Sequence, residues 1–208
     1  MTPKKKLILD TALALFVEQG IEATATAQIA KQAGVANGTL FHHFSSKSVL
    51  VNELFNSTKR ELAAAMQLQP AFDTNTDLRQ QAWQLWHNGI CWAVAHPLQL
   101  RFLQQIHYHP SEPVRQQMVE QLFHFVEHLL LQGQQQGLLL QTPLPLATEL
   151  SHSLFISSAA WLCEQHEQHQ LEQHISASFE MFWRCMGGKG ADLTPVNLSE
   201  HIPASATM

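Results

Sequence analysis

The stretch TATAQIAKQAGVANGTLFHHFSSK, from Thr24 to Lys47, leaves few alternatives to two short helices joined by a tight turn. Ile29, Ala30 and Ala33 recur on one helical face, Gly34 breaks the run, and Val35 supplies an apolar residue for the turn. Leu40, Phe41 and Phe44 define a second apolar face, and Ser45 or Ser46 offers a cap for the helix that follows. Two short helices crossing at such a turn is the arrangement that lays the second one in a DNA major groove.

The rest of the chain reads as all-α. Apolar residues recur at helical spacing, with no period-two alternation to suggest strands. A first helix is expected from about Pro3 to Gln19, closed by Gly20 as a left-handed cap. After the two short helices, a fourth carries Leu50, Leu54, Thr58 and Leu62 on one stripe. Further helices are expected at about Leu78 to Ala95, Leu98 to Gln105, Ser111 to Gly137, Pro143 to His166 and Gln170 to Met186. Asp73, Thr74 or Asp77 can cap the first of these, and His96-Pro97 interrupts it because a proline disfavours helix at the residue before it. This divides the chain into a front unit at 1–51, a larger helical unit at 52–188 and a polar tail at 189–208.

Charge supports an end-on contact with phosphate. The total is −5, but residues 1–51 carry five lysines against three acids, a net +2, which leaves −7 for the remainder. Nothing resembles a signal peptide or a membrane span, so a cytoplasmic protein is expected. Three widely spaced cysteines, Cys91, Cys163 and Cys185, argue against a disulfide framework.

The front of the chain resembles the TetR family of bacterial transcriptional regulators. The matching residues are Ala12, Phe16 and Gly20, then Thr24, Ile29-Ala30, Ala33-Gly34-Val35, Gly38-Thr39-Leu40, His43-Phe44 and Lys47. The resemblance is strong over Leu7 to Leu54, and its Gly-Thr-Leu-aromatic-x-His-Phe-x-x-Lys portion is the most specific part. It implies a three-helix DNA-binding domain with a helix-turn-helix, and a larger C-terminal domain for ligand binding and dimerisation. The expected DNA contacts are Thr24, Thr26, Asn37, Gly38, Thr39, His42, His43 and Lys47, with Lys4, Lys5 and Lys6 adding attraction. Two positions depart from the family pattern. Ala36 stands where a capping serine is usual, so that Asn37 is a candidate to take over the cap, and Phe41 replaces a tyrosine and its hydroxyl.

The resemblance further implies a double-stranded DNA operator, an unknown small-molecule effector, and a homodimer through the last two helices. On those helices Leu150, Leu154, Ser157, Ser158 and Trp161, and Ile175, Phe179, Phe182 and Met186, are the candidate faces. Trp86, Phe102, Phe123 and Phe155 are the candidate ligand pocket, although aromatics at helical spacing more often form core. Glu120, Glu127 and Glu149 are available to counter a cationic ligand. His124 and His128, and the group His166, His169 and His174, have usable metal-ligand spacing but lack close Cys or carboxylate partners; no metal or cofactor is assigned. No catalytic template is present, so an enzyme is disfavoured. A ligand-responsive repressor is the expected function. Its alternatives are a metal-sensing regulator or, behind that, a helical enzyme or dimerising scaffold.

Overall fold

A computed structural model describes residues 2–67, 77–107, 121–139, 142–165 and 168–188. Among these residues all regular structure is helical. The helices are α1 (Pro3–Gln19), α2 (Thr26–Gln32), α3 (Asn37–His43), α4 (Lys47–Met66), α5 (Leu78–Ala95), α6 (Pro97–His107), α7 (His124–Gln135), α8 (Leu144–Cys163) and α9 (Leu171–Cys185). A single 3-10 turn, Gln168–Gln170, leads into α9. The helix start expected at Ser111, the caps at Asp73 and Thr74, Glu120, His166 and the tail at 189–208 lie outside the described residues.

Local signals account for the helix ends. Thr2 caps α1, its Oγ1 accepting from the Lys5 amide, and Pro3 sits where a missing N–H costs nothing. Gly20 closes α1 with φ 87°, but its ψ of 152° lies outside the left-handed helical well, in a region open essentially to glycine alone. Ser46, rather than Ser45, caps α4 by accepting from the Val49 amide. Asp77 occupies the N-cap of α5 without a side-chain cap hydrogen bond. At the other end of α5, the ring of His96 stacks on Trp92 and its Nδ1 lies 2.8 Å from the Trp92 carbonyl.

One apolar core runs through the described residues. Ile8, Ala12, Leu15 and Phe16 of α1 meet Ile29, Leu40, Phe44 and Leu50 in the front bundle. The same α1 packs on α6, where Phe16 and Phe102 stack at 6.1 Å and the Gln105 side chain donates to the Val17 carbonyl. The boundary expected after residue 51 falls inside the continuous helix α4, which packs on α1 at its start and on α5 beyond.

The helices α5, α8 and α9 enclose an aromatic cluster. Trp86 stacks on Phe182 at 4.8 Å, meets Phe155 edge-on at 5.7 Å, and donates its indole N–H to Ser178. Gly89 lets α5 approach this cluster, because a Cβ there would lie 2.8 Å from the Phe155 ring. Ile175, Phe179, Phe182 and Met186 are buried here within the chain's own core, so they are not free to form an intersubunit face.

Candidate nucleic-acid interface and its relatives

The turn between α2 and α3 is built as its sequence requires. Gly34 adopts φ 63°, the left-handed conformation that favours glycine, and the Val35 amide donates to the Ala30 carbonyl at 3.0 Å. Val35 then packs against the core. Leu40 and Phe44 bury completely, anchoring α3 by one face. Asn37, Gly38 and His42 are exposed on the other, while Thr39 and His43 are half-buried at its edges. Phe41 is 43% exposed, an aromatic ring left on the outer surface of this short helix.

Ala36 is the N-cap of α3 and makes no side-chain cap bond. The cap has therefore not shifted to Asn37, which is the first helical residue with its side chain outward. Thr26 likewise opens α2, behind the N-cap Ala25.

Thr24 takes a structural role, and Lys47 and Lys5 each also bond within the chain. Thr24 is 1% exposed, and its hydroxyl lies 2.7 Å from the Gly20 carbonyl and 3.3 Å from that of Leu15. A side chain so enclosed cannot reach a phosphate; it braces the α1–α2 loop. Lys47 is half-buried and donates to the Glu22 carbonyl at 3.0 Å, which ties the start of α4 to the same loop and leaves two ammonium hydrogens for other acceptors. Lys5 pairs with Glu53 at 2.8 Å and sits 5.6 Å from the Phe44 ring centre, whereas Lys4, Lys6 and Lys31 are exposed.

The four aromatic residues expected to line one pocket do not converge. Phe102 packs against α1, Trp86 against Phe182 and Phe155, and Phe123 beside α4. A small cavity of about 20 Å³ lies elsewhere, among Leu78, Leu130, Gly133, Phe182 and Met186. Phe123 stands 5.3 Å from the ammonium of Lys59, which Phe55 flanks on the same side of α4 at 5.8 Å. Lys59 is 7% exposed, and burial pushes its pKa down to about 8. No described carboxylate pairs with it. The sequence reading missed this residue. Its signal was a lysine between Thr58 and Leu62, within the stripe that buries.

The sequence model of the family described as bacterial regulatory proteins, tetR family, matches residues 8–54. The HTH-type transcriptional repressor KstR2 of Mycobacterium tuberculosis is 47% identical over 47 residues, 23% of this chain and 24% of that protein. The chain thus aligns with about a quarter of the length of this curated relative. A solved structure described as a tetR family transcription regulator, from Shewanella sp. PV-4, extends the likeness much further. It is 40% identical, covers 89% of this chain and 98% of its own, and superposes with a TM-score of 0.81. The chain belongs to the TetR family. The FadR regulator of Bacillus subtilis, solved with stearoyl-CoA, shares the fold at a TM-score of 0.66 and 17% identity, over 85% of this chain and 96% of its own. As a TetR-family member the protein is a DNA-binding regulator with an all-helical fold. Among the described residues no helix is long and apolar enough to cross a membrane.

Proposed function

We propose that this TetR-family protein is a ligand-responsive repressor that binds a near-palindromic operator as a homodimer and leaves it when a small anionic effector binds. The observation that carries the DNA-reading part is the outward face of α3. Asn37, Gly38 and Thr39 open the helix with no cap claiming the Asn37 side chain, so its amide is available to an adenine edge. Lys31, Lys47, His42 and His43 surround this face as donors to phosphate. Residues 1–51 serve as the DNA-binding unit and 52–188 as the effector and dimerisation unit, with α4 common to both.

Dimerisation through α8 and α9 is supported by an exposed stripe. Leu146, Leu150 and Trp161 are 49%, 47% and 51% exposed on α8, and Met181 is 59% exposed on α9. Large apolar side chains at helical spacing on two adjacent helices are a costly surface for a monomer. Two copies of α3 would then meet successive major grooves, about 34–36 Å apart.

The anionic character of the effector rests on Lys59. A buried ammonium without a described counter-ion is expensive, and a carboxylate or phosphate beside it would remove that cost. KstR2 is named a repressor, and the neighbour FadR holds an acyl thioester with an anionic head, which makes acyl-CoA and free fatty acids sensible first probes.

The test is fluorescence anisotropy with DNA flanking the protein's own gene, against scrambled DNA and over a salt series. Tight, salt-sensitive binding lost on scrambling, then reversed by an anionic acyl compound, is expected. Weak binding to both DNAs at every salt concentration would reject an operator at that locus. Release that survives Lys59→Met would reject the effector assignment.

A further inference from the structure

Along α5, Arg79, Trp83, His87 and Cys91 follow one another at intervals of one turn. Opposite them, α9 runs antiparallel and presents Glu180, Ser176 and Glu172 at the same interval. One end of the seam is an ion pair between Arg79 and Glu180. The other gathers three metal-binding side chains of different chemistry. His87 Nε2 lies 3.1 Å from Glu172 Oε2, and Cys91 Sγ lies 3.8 Å from the same imidazole nitrogen. The three donor atoms all fall within 4.8 Å of one another.

We propose that His87, Cys91 and Glu172 form a binding site for a divalent transition-metal ion, zinc(II) foremost, that joins α5 to the first turn of α9. Zinc bonds of ~2.0–2.3 Å in a tetrahedral arrangement separate neighbouring donor atoms by roughly 3.3–3.7 Å; the two His87 spacings, 3.1 and 3.8 Å, bracket that range, and the Cys91–Glu172 pair, within 4.8 Å, would close up on an ion. A His and a Cys one turn apart on a helix need no backbone movement to share an ion. Imidazole, thiolate and carboxylate together suit zinc, cobalt and nickel rather than magnesium or calcium. The charges also balance, since a thiolate and a carboxylate neutralise a dication.

The surroundings favour a defined site over a chance encounter. The Trp83 indole packs at 5.3 Å from the His87 ring and 5.2 Å from Phe179, which limits how the imidazole can turn. His87 and Cys91 are half-buried while Glu172 is exposed, so an ion has an entry side. Three protein ligands leave a fourth position for water, the arrangement of an exchangeable rather than a closed structural site. Because Asn88 of α5 also donates to the Met66 carbonyl at the end of α4, the ion would act on a helix already joined to the one that carries the DNA-binding unit.

Cobalt(II) titration of the full-length protein tests the site directly. A thiolate-to-cobalt charge-transfer absorption that saturates at one ion per chain is expected, retained in Cys163→Ser and Cys185→Ser and abolished in Cys91→Ser. Zinc competition against a chromophoric chelator should show His87→Ala and Glu172→Gln weakening affinity by at least roughly tenfold, since even outer-sphere partners of metal ligands are worth that much. Circular dichroism melts would confirm that each variant folds. Absence of the charge-transfer band, its persistence in Cys91→Ser, or equal zinc affinity across folded variants would overturn the proposal.

Discussion

Phe16 of α1 and Phe102 of α6 stack at 6.1 Å with both side chains fully buried, so the front bundle and the larger helical unit share one piece of core. Beside them Gln105 donates to the Val17 carbonyl. A displacement of α6 cannot leave α1 where it was. Phe102→Ala should therefore cost about 3–5 kcal/mol in urea unfolding. Combined with Phe16→Ala it should cost clearly less than the sum of the single variants, because both empty the same space. Additive costs would show that the two rings support separate cores.

Ala36→Ser should stabilise the protein. The position already has N-cap geometry, with φ −63° and ψ 146°, and lacks only an oxygen. A gain of about 1 kcal/mol in unfolding free energy, read as a higher denaturant midpoint, is expected. Operator preference should stay unchanged, since Asn37 remains the first helical residue. A shift in preference would mean that residue 36 itself meets a base.

Thr24 and Lys47 border one loop but should separate cleanly by assay. Thr24→Val removes a buried hydroxyl bonded to the Gly20 carbonyl, costing about 1 kcal/mol of stability and leaving the salt dependence of DNA binding intact. Lys47→Ala should reduce the slope of log affinity against log salt by about 1, as expected for one lost phosphate contact. An unchanged slope would confine Lys47 to its bond with the Glu22 carbonyl.

These cases mark where the sequence was informative. Helix ends were legible wherever local residues govern them: Gly34 for the turn, the pair Ser45-Ser46 for the start of α4, His96-Pro97 for the end of α5. The inward face of α3 was legible in part: Leu40 and Phe44 bury and fix its rotation, but Phe41, expected beside them, is turned outward by the ~100° step from Leu40. Depth was not legible. Thr24 resembles a surface threonine until the Leu15 and Gly20 carbonyls are found above it, and the pocket aromatics scatter because helical spacing says which face buries and not against what. The His87–Glu172 contact spans 85 residues, so half of the seam was invisible from either helix alone.

Gly89 is a close-approach residue that no turn requires. A Cβ there would lie 2.8 Å from Phe155 Cε2 and 3.1 Å from Met66 Cγ, both belonging to helices packed against α5. Gly89→Ala should cost about 1–3 kcal/mol despite the better helix propensity of alanine. Phe155→Leu in the same background should recover part of the loss by withdrawing the ring. A neutral or stabilising Gly89→Ala in thermal melts would show that the Phe155 ring moves aside freely.

Lys59 makes stability depend on alkaline pH in a predictable direction. Its folded pKa of about 8 lies below the ordinary value of 10.5 because burial disfavours the ammonium. Below pH 8 folded and unfolded chains both keep the proton, and the folded state bears the whole burial penalty. Between 8 and 10.5 the folded chain releases the proton while the unfolded chain retains it, so this residue's contribution to stability rises with pH. The full swing is on the order of 3 kcal/mol. Lys59→Met keeps an unbranched side chain of nearly the same length and removes the titration. It should be more stable than the parent at pH 7, with the difference shrinking as pH rises through this window. Urea melts of both proteins at matched pH values read that difference directly; a constant gap would mean that the ammonium of Lys59 does not pay a burial cost at neutral pH.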